Sequence, residues 1–414
     1  MPRRLAKPLI LCLLGLLCAS SLAWATAHAV KAIGGHHAQK QHAKHHRRHK
    51  RHRKHKHHRK HKRHHRHGTK GDRTARHTQT SHTTAPGVPT HPATAPTPPG
   101  PPAQPAIGPR DVIVPFPTAQ HLFAPTSFWN AALPANVALD PRSAQLSSAF
   151  RGEIQKEVTG NYGPWINTTQ YSVSDYTVGS ATPTMHVTLD APYPDVQRDF
   201  DSVPIPTGAH VAPGKDGSLG DGQLVIYQPS TDTLWEFWLL QLRADGWHAA
   251  WGGKMTSVST NPGYFNGNLG ATGTSLPLLG GLMTIRELQA GRIDHALAAA
   301  LPNTAAGTFT WPAQRGDGRT TGPTAVPEGT HFRIDPSIDL TKLNLSPTGL
   351  VIARAAQKYG FVVRDTGGCF VFYAEDPVAT GGDPYGQIFD GKYPSQVLQN
   401  FPWDRLQVVA PGHN

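Results

Sequence analysis

Cysteine is nearly absent from the chain, which has three cysteines in 414 residues. Cys12 and Cys18 lie in the apolar segment near the start, so loss of that segment would leave Cys369 alone. One thiol cannot form an intramolecular disulfide, and the folded part must therefore rely on a hydrophobic core. Cys369 lies in an apolar, strand-like run, where we expect a buried small side chain rather than a nucleophile.

Long hydrophobic runs are also lacking. The apolar run over residues 9–17 is shorter than the roughly 20 residues of a membrane-spanning helix. Basic residues precede it, and three sites of the small-x-small type follow between Ala23 and Ala29. This pattern predicts a cleavable signal peptide over residues 1–29, with an uncleaved anchor as the alternative. We expect a secreted protein, with or without retention at the cell envelope, and no transmembrane span after cleavage.

Acidic residues are missing from one segment and concentrated in another. Residues 36–67 contain 14 Lys and Arg, 14 His and no acid, whereas residues 105–414 contain 19 Lys and Arg against 26 Asp and Glu. The net charge of +13 therefore belongs to the first segment, and the part able to fold is acidic. An acidic domain offers no broad basic face, so we expect no specific nucleic-acid binding.

The basic tract, residues 30–67, has too few apolar residues to fold, and we expect it to be disordered. Its charge suits anionic envelope polymers, and its imidazoles suit Zn, Ni or Cu. The alternative is a solvated tether without defined sites. Residues 68–109 are rich in Pro and Thr, which predicts a semi-rigid polyproline spacer. The histidines that we expect to share a diffuse metal site are His45, His46, His49, His57, His58, His64 and His65.

Residues 110–414 show short apolar and aromatic runs separated by Gly, Pro, Asn and Asp. This spacing predicts one mainly β domain, an antiparallel sandwich or jelly-roll-like fold with a few short helices, and we expect a monomer. Strands over 224–227, 234–242 and 247–255 should form a meander. Helices are predicted over 284–291, 294–301 and 346–360, followed by a hairpin over 361–375.

Familiar catalytic motifs are lacking: the sequence has no phosphate-binding glycine loop, no HExxH, no paired CxxC and no G-x-S-x-G. The candidates are isolated polar residues among aromatics. Glu236 shares a strand face with Trp238, which predicts an acid beside a sugar-stacking ring. The alternative is a carboxylate bound to backbone or arginine.

Further candidates lie elsewhere in the domain. His248, opposite two tryptophans on its strand, could line a ligand cleft, although a half-exposed structural strand is the simpler interpretation. His295 and Asp365 are candidate partners of Glu236 in catalysis, and Arg333 is a candidate for binding an anionic group. A structural histidine is the alternative for His295.

Several blocks carry a resemblance. A family of uncharacterised secreted proteins from soil bacteria is resembled by the stretches 276–282, 290–297, 311–313, 329–333 and 358–365, together with Glu287. The resemblance covers residues 123–377 and implies secretion and the order of these blocks, without any activity or functional residue.

Two functions of different classes fit these features. The first is a secreted, envelope-associated domain that recognises, and in its stronger form cleaves, a polysaccharide or cell-wall glycan. The second is a non-catalytic surface protein whose His-rich tract provides adhesion or metal binding. Convergence of Glu236, His295, Arg333 and Asp365 on one cleft would favour the enzyme, and scatter would favour the binding protein.

Overall fold

The computed structural model describes residues 122–412. The predicted signal peptide, His-rich tract and linker lie outside these residues. The described part contains fifteen strands: β1 (Trp165–Asn167), β2 (Ser174–Thr177), β3 (Val187–Leu189), β4 (Leu224–Gln228), β5 (Thr233–Trp238), β6 (Gln241–Arg243), β7 (Gly246–Ala249), β8 (Trp251–Thr256), β9 (Leu297–Leu301), β10 (Thr304–Phe309), β11 (Val326–Glu328), β12 (His331–Ile334), β13 (Phe361–Thr366), β14 (Val371–Tyr373) and β15 (Leu406–Val408).

Six α-helices accompany these strands, and only two of them exceed three turns: α1 (Ser143–Gly160), α2 (Pro194–Gln197), α3 (Ile285–Ala290), α4 (Pro347–Lys358), α5 (Tyr385–Ile388) and α6 (Pro394–Val397). Short 3-10 turns connect several strands. Among residues 122–412, no helix combines the length and apolar character needed to cross a bilayer.

A six-stranded mixed sheet, in the order β1-β14-β9-β13-β12-β15, forms the centre of the described part. Both faces of its strand β9 are buried. Leu297, Ala299 and Leu301 face a core that includes residues of α1, α3 and α4, whereas Ala298 and Ala300 face a second core. Alternation of side chains along a strand accounts for this division.

The four-stranded sheet β2-β4-β5-β8 supplies the other side of that second core. Val225 and Leu234 point toward the six-stranded sheet, while Ile226 and Trp235 point into a third core. That third core also contains residues of the three-stranded sheet β3-β7-β6. Strands β10 and β11 form a separate two-stranded ribbon.

The prediction of a mainly β domain with few short helices is confirmed. The prediction of antiparallel sheets is wrong in part, because each of the four sheets contains at least one parallel pair. The predicted meander is present as β4, β5 and β8, which pair antiparallel in sequence order. It is interrupted after Trp238, where Leu239 adopts a φ of 53° and the chain forms β6 and β7 in another sheet.

The helix predictions have different outcomes. Helix α3 is confirmed with its capping box between Thr284 and Glu287, and Gly291 ends it in the left-handed conformation. Helix α4 is confirmed with Ser346 as N-cap. The helix predicted over 294–301 is wrong, since this segment leads into strand β9. The hairpin predicted over 361–375 is also wrong, because β9 lies between β13 and β14. Cys369 is partly rather than fully buried.

Candidate functional site

Three carboxylates meet at one end of the two-stranded ribbon. Asp317 lies in the connection between β10 and β11, Glu328 ends β11, and Asp365 lies near the end of β13. One oxygen from each lies within 4.8 Å of the others. Asp317 is exposed, Asp365 is half-buried and Glu328 is buried. We refer to these three residues as the acidic cluster.

Backbone amides and one hydroxyl hold the acidic cluster in place. Glu328 Oε2 accepts hydrogen bonds from the N–H groups of Asp317 (2.7 Å) and Gly318 (3.2 Å). Asp365 Oδ1 accepts from the N–H groups of Thr366 (3.0 Å) and Gly273 (3.3 Å). The Thr366 hydroxyl lies 3.0 Å from Asp317 Oδ1 and 3.2 Å from Glu328 Oε1. The connection carrying Asp317 is thereby fixed to both β11 and β13.

Two glycines allow this close approach of backbone and carboxylates. A Cβ on Gly273 would lie 2.8 Å from Asp317 Cγ, and a Cβ on Gly316 would lie 2.7 Å from Glu328 Oε2. Neither distance is compatible with a side chain at these positions without displacement of the carboxylates.

Burial and mutual repulsion both favour the protonated forms of two of these acids. Burial, followed by the charges of Asp317 and Asp365, raises the pKa of Glu328 to about 9. Burial, followed by the charge of Asp317, raises the pKa of Asp365 to about 8. At neutral pH the acidic cluster therefore holds carboxylic acids able to donate a proton.

An exposed aromatic residue is the strand neighbour of one of these acids. Phe309, at the end of β10, is 47% exposed, and its backbone pairs with that of Glu328. A Cβ on Gly316 would lie 3.3 Å from Phe309 Cβ as well as against Glu328. The site thus combines carboxyl groups with an accessible apolar platform.

The donor set of the acidic cluster consists of oxygens alone. Carboxylate and hydroxyl oxygens are the ligands that Mg²⁺ and Ca²⁺ prefer, whereas Zn, Ni and Cu favour imidazole or thiolate. The residues in the described part of the chain that could hold a hard cation are therefore Asp317, Glu328 and Asp365. The predicted Zn, Ni or Cu binding belongs to the His-rich tract, outside the described residues.

Glu236 is buried, whereas its strand pattern predicts an acid accessible to a substrate. It does share a face of β5 with Leu234, but its side chain is completely buried. Its two carboxylate oxygens accept hydrogen bonds from the N–H groups of Ala271 (2.7 Å) and Leu278 (2.8 Å). Burial raises its pKa to about 7, although these hydrogen bonds and two nearby arginines favour the charged form. This environment supports the backbone-bound alternative rather than contact with a substrate.

The loop that Glu236 holds, residues 270–280, also reaches the acidic cluster. Arg315 donates to the carbonyls of Thr272 (2.6 Å) and Gly270 (3.2 Å), and Arg364 donates to that of Leu278 (2.6 Å). Gly273 of the same loop donates to Asp365. Glu236 therefore acts on the position of the acidic cluster through the loop.

His295 and Asp365 are not brought together. His295 is fully buried, with Nε2 3.2 Å from Glu287 Oε2 and Nδ1 2.8 Å from the Ala296 carbonyl. It precedes β9, whereas Asp365 pairs with Ala300 near the other end of that strand. Ala300 lies five residues along the chain from His295, and at the rise of extended backbone this spacing corresponds to about 16 Å. The structural alternative for His295 fits this environment.

The guanidinium of Arg333 forms hydrogen bonds within the protein. Its guanidinium donates to Gln407 Oε1 (2.8 Å) and to the carbonyls of Pro134 (2.8 Å) and Ala135 (3.1 Å). The side chain is nearly fully buried, so it does not present these donors to an anionic ligand. Burial lowers the pKa of Arg333.

His248 lies in β7 of the three-stranded sheet, and Trp238 ends β5 of the four-stranded sheet. His248 Nδ1 lies 3.1 Å from Asp190, and its Nε2 lies 3.1 Å from Asp245. Arg243 forms a bidentate ion pair with Asp190 as well. Trp238 is half-buried between the second and third cores. Among the predicted site residues, only Asp365 belongs to the acidic cluster.

Comparisons of the chain with protein-family models, with curated proteins and with solved structures gave no match. The resemblance to secreted proteins of soil bacteria therefore stays a prediction. Asp317 and Glu328 were missed by sequence reasoning. The run Gly316-Asp317-Gly318 indicates a turn, but nothing in the sequence relates that turn to the end of β13.

Proposed function

We propose that this exported domain binds an envelope polysaccharide at the acidic cluster and hydrolyses its glycosidic bonds there. The observation that carries the proposal is the meeting of three carboxyl groups, with oxygens within 4.8 Å of one another, at a position where Asp317 is exposed. Glycoside hydrolysis requires one carboxyl group that donates a proton and a second, ionised one.

The environments of the three acids assign their roles. Asp365 is half-buried with a pKa of about 8, and in our proposal it protonates the leaving-group oxygen. Asp317 is exposed and acts as the nucleophile: its carboxylate bonds to the anomeric carbon as the glycosidic C–O bond breaks. Water, deprotonated by Asp365, then releases the sugar and restores both carboxyl groups. Glu328 binds the N–H of Asp317 and acts as a positioning residue. One oxygen of Asp317 and one of Asp365 lie within 4.8 Å of each other. This distance is closer to the roughly 5 Å of retaining enzymes than to the roughly 6.5–9.5 Å of inverting enzymes, so we expect retention of configuration.

Phe309 supplies the binding surface in this proposal. Its exposed ring can stack on the apolar face of a pyranose, as aromatic side chains do in sites for hydroxyl-rich ligands. We also propose that the sheets form a sandwich-like domain and that the protein is exported and retained at the envelope. Hydrolysis of an envelope polysaccharide requires a domain that meets the polymer outside the cell.

The test is a panel of plant and bacterial wall polysaccharides incubated with the wild-type protein and with Asp317→Asn and Asp365→Asn. We expect reducing ends to be released by the wild type, with a loss of at least about 100-fold in each variant, as for removal of a general acid or a nucleophile. The control is Asp195→Asn, which removes an exposed carboxylate from α2. Equal release by the wild type and both cluster variants would reject the role of the acidic cluster.

The alternative, a non-catalytic surface protein, is favoured by one observation. Glu236, His295 and Arg333 each bind their own partners and do not converge on a cleft. Polysaccharide that binds to the wild type without release of reducing ends would support this alternative. Loss of that binding on Phe309→Ala would still place the glycan at the acidic cluster.

A further inference from the structure

A second concave site lies at the opposite end of β9 from the acidic cluster. It is a pocket of about 320 Å³ between α4 and the segment that joins α3 to β9. This volume is at the lower end of the range for small-molecule sites. The side chains used in the argument below are Arg292, Ile293, Asp294, Val351, Arg354 and Lys358.

The local sequence explains how these side chains come together. Val351, Arg354 and Lys358 are spaced three and four residues apart, so they lie on one face of α4. On the other side, Gly291 ends α3 in the left-handed conformation and turns the chain toward the pocket. Ile293 is buried and forms an apolar wall with Val351.

The charges in the pocket do not balance. Asp294 is its one acid, and both of its oxygens are engaged: Oδ2 forms an ion pair with Arg292, and Oδ1 accepts from the Tyr359 hydroxyl at 3.3 Å. Arg354 and Lys358 are exposed and form no ion pair with any carboxylate of the described residues. Lys358 Nζ lies 4.7 Å from the centre of the Tyr359 ring. Two positive charges are therefore left uncompensated, on a domain whose net charge is negative.

We propose that this pocket binds the oxyanion group of a small polar ligand. Arg354 provides a planar fork for two oxygens of a carboxylate or phosphate, and Lys358 provides a second positive charge one helical turn away. Ile293 and Val351 contact the body of the ligand. Two sources share this chemistry, an acidic sugar and a phosphorylated polyol. The proposal is independent of hydrolysis at the acidic cluster.

The experiment uses the full chain and a local readout, because the 14 Lys and Arg of residues 36–67 are expected to attract anions as well. Hydrogen–deuterium exchange is followed in peptides covering residues 285–296 and 347–360, with D-glucuronate and with glycerol phosphate as separate probes. We expect added anion to slow exchange in both segments in the wild type. The midpoint should rise about tenfold in Arg354→Gln and in Lys358→Gln, as expected for loss of one charge-assisted hydrogen bond.

Two further variants make the result specific. Arg354→Lys keeps the charge and loses the fork, so it should bind more weakly than the wild type and more tightly than Arg354→Gln. Arg151→Gln removes an exposed helical arginine on α1 and should leave the midpoint unchanged. Stronger protection by one probe identifies the source of the anion. Absence of protection with both probes, or equal protection in the Arg354→Gln, Lys358→Gln double variant, would overturn the proposal.

Discussion

Glu236 lies beneath loop 270–280, and backbone N–H groups of that loop bind both oxygens of its carboxylate. The alternation along β5 places Leu234 and Glu236 toward the second core, as expected. What the pattern could not show is that loop 270–280 covers this part of the face. Gly270 permits that cover, because it has a φ of +94° and a Cβ there would lie 3.1 Å from Glu236 Oε1.

At pH 4.5, replacement of Glu236 by Gln should lower the free energy of unfolding by about 1–3 kcal/mol, since the amide nitrogen cannot accept from one of the two backbone N–H groups. A folded-state pKa raised from 4.5 to about 7 means that the native state binds the extra proton. The contribution of this proton to the free energy of unfolding is complete below pH 4.5 and is lost as the pH rises through about 7. We therefore expect the cost of Glu236→Gln to be smaller at pH 8 than at pH 4.5.

Urea unfolding at these two pH values measures the difference. Asp195→Asn, on the surface, should leave the slope of stability against pH between 4.5 and 7 as it is in the wild type. If Glu236→Gln also left this slope unchanged, ionisation of Glu236 would not contribute to stability in this range.

His295 and Glu287 form a buried ion pair, and each residue shifts the pKa of the other. Burial opposes the charge on each, but for His295 it is outweighed by the charge and hydrogen bond of Glu287, so its pKa is raised. The reciprocal interaction lowers the pKa of Glu287. The charge of Glu287 contributes to the free energy of unfolding above pH 4.5. The charge of His295 contributes fully below pH 6.5, and this contribution is lost as the pH rises through its raised pKa. The pair therefore stabilises the fold most between these values.

His295→Ala should cost about 3 kcal/mol at pH 5.5, because Glu287 would lose its buried cation. The cost should decrease as the pH rises through the raised pKa of His295. His186→Ala is the matched control, since His186 is 55% exposed and pairs with an exposed carboxylate. Its cost should stay below about 0.5 kcal/mol. Equal costs for the two variants would contradict the buried ion pair.

At the scale of elements, α4 was predictable because its signals are local. Ser346 accepts a hydrogen bond from the N–H of Gly349 at 3.0 Å, Pro347 begins the helix, and Gly360 follows it with a φ of +80°. Each of these positions depends on neighbours in sequence, which is why the boundaries were read correctly.

Ser346→Ala should lower the free energy of unfolding by about 1 kcal/mol, because the N-cap acceptor is lost. Ser147→Ala is the matched control on α1, where the hydroxyl has no hydrogen-bond partner. That change should be neutral or slightly stabilising, since Ala is the better helix former. Thermal unfolding of both variants decides the matter, and a cost for Ser147→Ala as large as that for Ser346→Ala would argue against capping.

Strand β9 was misassigned for the opposite reason. Its alanines and leucines favour a helix when each residue is considered alone. In the structure β13 and β14 flank it on either side, and small side chains let two cores approach its two faces. The same long-range pairing separates β13 from β14, so two strands joined by a glycine turn do not form a hairpin.

At the scale of the whole molecule, charge is divided between a basic tract and an acidic domain. Deletion of residues 36–67 should abolish binding of the protein to anionic wall polymers at low salt, because the tract carries the positive charge. Binding of the full chain should weaken strongly as ionic strength rises. Co-sedimentation with purified wall polymer at increasing salt measures both effects. Binding that persists in the deletion variant would place the contact in the domain instead.

The sequence by itself determined the division of charge, the mainly β character of the domain, the limits of α3 and α4, and the face to which Glu236 belongs. These follow from composition, local capping and the period of two along a strand. Only the tertiary structure decided which strands pair, which acids meet and which ionisable groups are buried. Asp317, Glu328 and Asp365 come from three separate parts of the chain, and their proximity depends on β9, β11 and β13. No local signal encodes such a contact, because it is fixed by packing between residues distant in sequence.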